Sequence, residues 1–232
     1  MSRKSDIEAL LNRAEKNLIQ IEIKHQKALE VKEISDDLKI DIKNFFENLR
    51  SALDYIARDL VEKYCQTADP NSNLYFPIRK NKNEFDNLMN KSFPNLSVNC
   101  RAAYDILESL QPFMSSDNTW LFNFNKITNE YKHQRLIPQK RIEEIKRITA
   151  HANGKGDVSW NPSSVSFGPN VFIHGIPIDQ KTQMPVPSDS QTITKEIWVD
   201  FQFEGIGVSS IELIKESLSM TKKIYSDLKD KI

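Results

Sequence analysis

The run from Asp36 to Tyr64 carries no glycine or proline and sets its apolar side chains along one helical line. With Leu49 at zero and an advance of about 100° per residue, Leu38, Ile42, Phe45, Phe46, Ala52, Leu53, Ile56, Leu60 and Tyr64 fall within about 60° of that line. Ser35 precedes the run as an N-cap. A helix of about 29 residues spans roughly 43 Å, and an apolar stripe that long must be covered by other helices. Upstream, Ser5 caps a first helix to about Glu33, with Ile7, Leu10, Leu11, Ala14, Leu18, Ile21 and His25 at helical spacing. Two long amphipathic helices joined by so short a link form an antiparallel αα-hairpin.

Beyond this hairpin the texture changes. Asp69-Pro70-Asn71 is a turn, and Tyr75-Phe76-Pro77-Ile78 is extended, because the residue before a proline avoids the α region. Residues 66–97 read as a loop held over the bundle end by Tyr75, Phe76 and Phe85, with a short helix from Asn83 to Lys91. Ser97 caps a helix to about Leu110, stopped by Gln111-Pro112-Phe113. Asp117 or Asn118 opens the next helix, whose Trp120, Phe124, Ile127 and Tyr131 line one side; Phe122 lies opposite and Leu121 between, the pattern of an enclosed helix.

After Leu136-Ile137-Pro138 the period is lost, since Ile142, Ile145 and Ile148 recur every three residues. From Gly154 short β-type pieces follow: VSW, SSVSF, NVFIHGIPI and KEIWVDFQF. Asp179 to Gln191 forms a hairpin loop. The expectation is an antiparallel sheet over Ile145 to Phe203, then a last helix from Ser209 or Ser210 to about Asp230 that returns to the bundle. The fold class is therefore α+β, mostly α: one compact unit over residues 1–232, with a helical bundle in 1–137, a β-rich insertion in 138–207 and a C-terminal helix in 208–232.

The chain of 232 residues balances 32 basic against 32 acidic side chains. That balance does not support broad capture of a nucleic-acid backbone or an anionic membrane, although a local basic patch could still serve. Cys65 and Cys100 lack metal-type spacing and read as reduced thiols. The opening MSRKSDIEALLNRAEK lacks the apolar core of a signal peptide, and no run approaches the roughly 18 apolar residues of a membrane span. A cytoplasmic protein with no membrane partner is expected.

Two polar constellations stand out. Glu47, Arg50, Asp54 and Arg58 follow one another along one side of the central helix, with Arg50 at the edge of the apolar stripe, where it can lean into a groove. In Asn129-Glu130-Tyr131-Lys132-His133-Gln134-Arg135, His133 is one turn after Asn129. An imidazole beside Lys132 and Arg135 has its proton affinity lowered by like charge and suits a general base. The competing reading makes each set architectural: a solvated ladder in one case, a helix end favourable to cations in the other. His25 follows Glu22 by three residues, and His133 follows Glu130 at the same E-x-x-H spacing, but a metal-carboxylate bundle also needs further carboxylates on facing helices, and nothing in the sequence marks those. His151 and His174 are isolated. No phosphate loop or nucleophile motif is present, and no metal or cofactor is expected.

FENLRSALDYIARDL, YFPI, ESLQPF and NKITNEYKHQRL together resemble a group of uncharacterised bacterial and phage-encoded proteins that pair an NLRSALDH-like helix with FPI, LQP and N-x-x-KHR-like pieces. Here Tyr55 replaces the usual His, and Gln134 separates His133 from Arg135. More distantly, the chain is similar to the HEPN superfamily of helical RNA- and nucleotide-binding proteins, many of them toxin or antiphage ribonucleases. Their signature arginine four to six residues before the histidine is replaced by Ile127, Thr128 and Asn129.

Two functions follow as expectations. The first is a non-enzymatic binding or interaction module of a bacterial or phage system, related to defence, that either binds another protein or assembles with itself through its N-terminal helices. The alternative is a HEPN-like metal-independent endoribonuclease or nucleotide-binding protein. In that scheme His133 is the base, Arg50 stabilises developing charge and Asn129 orients, while Asp54, Lys132 and Arg135 bind RNA or nucleotide.

Overall fold

The structure, a computed structural model, describes residues 3–68, 73–133, 136 and 138–232, with the side chains of residues 131–133 outside the description. It is mostly helical with small antiparallel sheets ahead of the last helix. Contacts divide the chain into two compact units, residues 1–140 with 201–232, and residues 141–200.

In the helical unit, α1 (Lys4–Val31) and α2 (Asp36–Tyr64) form the hairpin. The Ser35 hydroxyl accepts from the Leu38 N–H at 3.2 Å, and Asp36 and Asp37 sit in the first turn, where the dipole favours negative charge. Leu38, Ile42, Phe45, Phe46, Leu49, Leu53, Ile56 and Leu60 are fully buried, so the stripe read from the sequence is the core face. The start of α1 differs from expectation: Arg3, not Ser5, occupies the cap position. Its backbone N–H and guanidinium donate to the buried Asp59 at 2.8 and 2.6 Å, and that tie to α2 sets where the helix begins. Its end comes earlier too, at Val31, where Lys32 turns left-handed at φ 66°.

Asn81 caps α3 (Lys82–Ser92) reciprocally: its side chain accepts from the Glu84 N–H at 2.9 Å and donates to the Glu84 carboxylate at 2.8 Å. The single helix expected from Ser97 is instead two, α4 (Leu96–Asn99) and α5 (Arg101–Ser109), broken where Cys100 becomes extended. At the break the Asn99 amide donates to the Tyr64 carbonyl at 2.7 Å, satisfying an orphan group at the end of α2. A 3-10 turn, Ser116–Asn118, leads into α6 (Thr119–His133), and Ser209 caps α7 (Ser210–Leu228). α2 packs against α1, α6 and α7. The Phe46 ring meets Phe45, Phe124 and Phe203 at 5.5, 5.8 and 6.0 Å between centroids, joining α2, α6 and the strand that precedes α7. Leu121 is buried and Phe122 only half-buried, with the Lys80 ammonium 4.7 Å from its ring.

The strands are β1 (Gln139–Ala152), β2 (Gly156–Trp160), β3 (Phe172–Ile173), β4 (Ile176–Asp179), β5 (Met184–Pro185) and β6 (Thr192–Phe203); all fall in the second unit except the first two residues of β1 and the last three of β6. One sheet has the order β2-β1-β6, the other β3-β4-β5. Three details depart from the sequence reading. β1 starts at Gln139 rather than Ile145. SSVSF is a loop, because the Asn161 carboxamide accepts from the Ser163 N–H and the Phe167 N–H donates to Gln183. The loop expected over Asp179 to Gln191 contains the short β5. Ile148, Ala150, Trp160, Ile173 and Ile178 make this unit's own core. Among the described residues no helix is long and apolar enough to cross a membrane.

Candidate functional site

A cleft of about 690 Å³ opens in the helical unit between α2, α3, α6 and residues 73–79. Arg50 and Asn129, two of the sequence candidates, both line it. The stripe-edge position does what its angle suggests: the Arg50 side chain is only 18 % exposed and leans from α2 toward α6. Its Nε donates to Asp54 at 3.2 Å, its Nη1 donates to the side-chain Oδ1 of Asn125 at 2.8 Å, and its guanidinium lies 5.5 Å from the Tyr75 ring centre. Asn125 is one turn before Asn129, so α6 presents two amides at helical spacing to the same space.

Asp54 has two tasks. One carboxylate oxygen holds Arg50, and the other accepts from the Phe76 N–H at 2.7 Å. The extended YFPI piece is therefore pinned to α2 at its start. Gln111, fully buried, pins its far end. The Gln111 amide donates to the carbonyls of Pro77 at 2.9 Å and Leu107 at 2.8 Å, and its carbonyl accepts from the Arg79 N–H at 2.9 Å. Asn118 in turn donates to the Gln111 and Ser109 carbonyls. A segment with no sheet partner thus has its backbone groups satisfied by side chains, the condition for burying Phe76 and Ile78. Its other residues, Tyr75 and Arg79, face the cleft.

α3 completes the wall with Glu84, Asn87, Leu88, Lys91 and Ser92. It is fixed to α5 by Lys82, which lies 2.6 Å from Glu108 and also binds Asp86. Those carboxylates, with Asp86 the larger influence, hold the Lys82 ammonium charged well above the usual lysine range. The cleft lining counts three cations, Arg50, Arg79 and Lys91, against one carboxylate, Glu84, so its local sign is positive in a chain of zero net charge. Among the described residues neither Arg79 nor Lys91 is in a salt bridge, and the exposed amides of Asn87 and Asn129 make no hydrogen bond.

The expected ladder on α2 divides: Glu47 pairs with Lys43 at 2.6 Å, and Arg50 with Asp54. The side chains of His133 and Lys132, and the whole of Arg135, lie outside the described residues. Glu22 reaches Lys215 of α7 at 3.1 Å, while His25 is buried edge-on against Phe201. Among the described residues no three His, Cys, Asp or Glu side chains converge as for a metal ion. Sequence reasoning missed Tyr75, Arg79, Lys91, Asn125 and Gln111. The signal for Tyr75 and Gln111 was present in the YFPI and LQP pieces, which are neighbours in the fold because Gln111 binds the Pro77 carbonyl and the Arg79 N–H. No protein-family model, curated protein or solved structure matches the chain.

Proposed function

We propose that the protein is a non-enzymatic binding module whose helical unit takes a phosphate-bearing ligand, of nucleotide or single-stranded RNA chemistry, in the cleft around Arg50. The observation that carries this reading is the convergence of Arg50, Arg79 and Lys91 with four asparagines in one opening of about 690 Å³. The volume is that of a small-molecule site, too small for a duplex. Guanidinium and ammonium groups supply charge-assisted hydrogen bonds to phosphate. Primary amides both donate and accept, as the edge of a base requires. The exposed Tyr75 ring beside Arg50 offers a stacking face. Arg50 is already oriented by Asp54 and Asn125, so little ordering is lost when a ligand binds.

Calorimetric titration with adenosine monophosphate and with a short single-stranded RNA tests the reading. Binding should weaken with salt, and Arg50→Met and Lys91→Met should each cost about tenfold or more in affinity, the value of one charge-assisted hydrogen bond. Absence of binding to both probes, or affinity indifferent to both substitutions, overturns it. The endoribonuclease reading is favoured by one observation: Asn129 lines the cleft, and His133 follows it by four residues on α6. RNA cut without metal, and left intact by His133→Ala, would replace binding by catalysis.

A further inference from the structure

His151, isolated in sequence terms, is the centre of a hydrogen-bonded relay that lies wholly within the β-rich unit. It stands directly opposite Asp157 in the antiparallel register of β1 with β2. Its Nδ1 is 2.8 Å from an Asp157 carboxylate oxygen, and its Nε2 is 2.9 Å from the Thr194 hydroxyl on β6. Three neighbouring strands each contribute one member.

The chemistry of the partners fixes the direction of the hydrogens. A carboxylate only accepts, so Nδ1 carries the proton; in the neutral imidazole Nε2 then holds the lone pair, and the Thr194 O–H donates to it. Hydroxyl, base and orienting carboxylate in this order are the parts of an activated nucleophile, recognised by geometry and not by sequence position. The side chains of His151 and Asp157 are 38 % and 60 % exposed, so a donor can approach without any opening of the fold. The same strand pair provides an internal control. Thr149 and Ser159 lie opposite each other two residues along, and their hydroxyls bond to one another at 2.8 Å.

We propose that Thr194 is an acyl-accepting site, its hydroxyl activated by His151 toward activated esters. The Thr194 oxygen forms a bond to the acyl carbon, and the bond from that carbon to the leaving oxygen breaks. The hydroxyl proton passes to His151 Nε2 and from there to the departing oxyanion or to water. No oxidant or reductant enters, and the product is an O-acyl threonine plus the free alcohol or phenol.

The test treats the full chain with p-nitrophenyl acetate and follows nitrophenolate release, with intact mass and peptide mapping to place the acetyl group. One acetyl per chain should appear on Thr194, faster than on Thr149. Thr194→Val, similar in volume, should abolish it and Thr194→Ser retain it. His151→Gln keeps a hydrogen-bonding side chain but removes the base, and should slow acylation roughly a hundredfold. Asp157→Asn should slow it less. Thermal melts of each variant verify folding, and Thr194→Val serves should a His151 variant fail to fold. Acetylation spread evenly over exposed hydroxyls and lysines, or a Thr194 rate unchanged in His151→Gln, overturns the proposal.

Discussion

The helical unit and the β-rich unit manage apolar surface differently. In the first, whole helical faces vanish from solvent: Phe45, Phe46, Phe85, Phe124 and Phe203 are all fully buried in one continuous cluster. In the second, the core amounts to five buried residues, while Phe172 and Ile197 remain 58 % and 51 % exposed. A large core can hold a polar group at its margin in a fixed pose, as Arg50 is held. A thin sheet has only strand register to place its side chains, and register alone sets Asp157, His151 and Thr194 in line. The cleft is thus defined by depth, the relay by alignment.

The largest effect that sharpens this contrast is Phe46→Ala, which should cost about 3–5 kcal/mol and lower the melting of the whole helical unit. Its counterpart is Trp160→Ala. By hydrogen exchange it should release the amides of Ile148 and Ala150 while those of α2 keep their protection. Equal loss of protection in both units by either substitution would break the comparison.

Next in size is Gln111→Leu. It strands the buried carbonyl of Pro77 and the N–H of Arg79, each worth about 1–3 kcal/mol, and frees the wall that carries Tyr75 and Arg79. A drop in stability without any loss of ligand affinity in the cleft would show that the pin serves packing alone.

The smallest effect concerns Glu216 on α7. Burial first, then the charges of Asp117 and Glu212, push its carboxyl above the ordinary value near 4.5. The native state therefore holds this proton more tightly than the unfolded chain. The stabilising contribution is complete below the ordinary value and is lost as pH rises through the raised one. Glu216→Gln should accordingly melt slightly higher than the parent at pH 7 and identically at pH 3. A gap of equal size at both would assign it to something other than ionisation.

Legibility in the sequence followed the range of the interactions. α2 was readable to its ends because its stripe, Ser35 and the acidic first turn act within a few residues. β1 was not, because its fully buried positions fall only at Ile148 and Ala150, leaving most of a 14-residue strand without an inward–outward alternation to detect. At the cleft, helix-face arithmetic was enough to single out Arg50 and Asn129. Arg79, Lys91 and Gln111 come from separate segments, and nothing local announces that they meet. The relay escaped for the same reason, since His151, Asp157 and Thr194 become neighbours only once the pairing of three strands is known.

The two pins on the YFPI piece join residues separated by 22, 32 and 34 positions, and the bond from Arg50 to Asn125 spans 75. Contacts of such separation carry more loop-closure entropy than a helical turn does, so the opening they shape depends on the chain being folded. Whatever occupies it binds the native state alone, and at a hundred times its dissociation constant adds about 2.7 kcal/mol to the unfolding free energy. In a cell, where proteases remove chains in proportion to the fraction unfolded, a ligand of the proposed kind would by that margin couple how much of this protein persists to how much of the ligand is present.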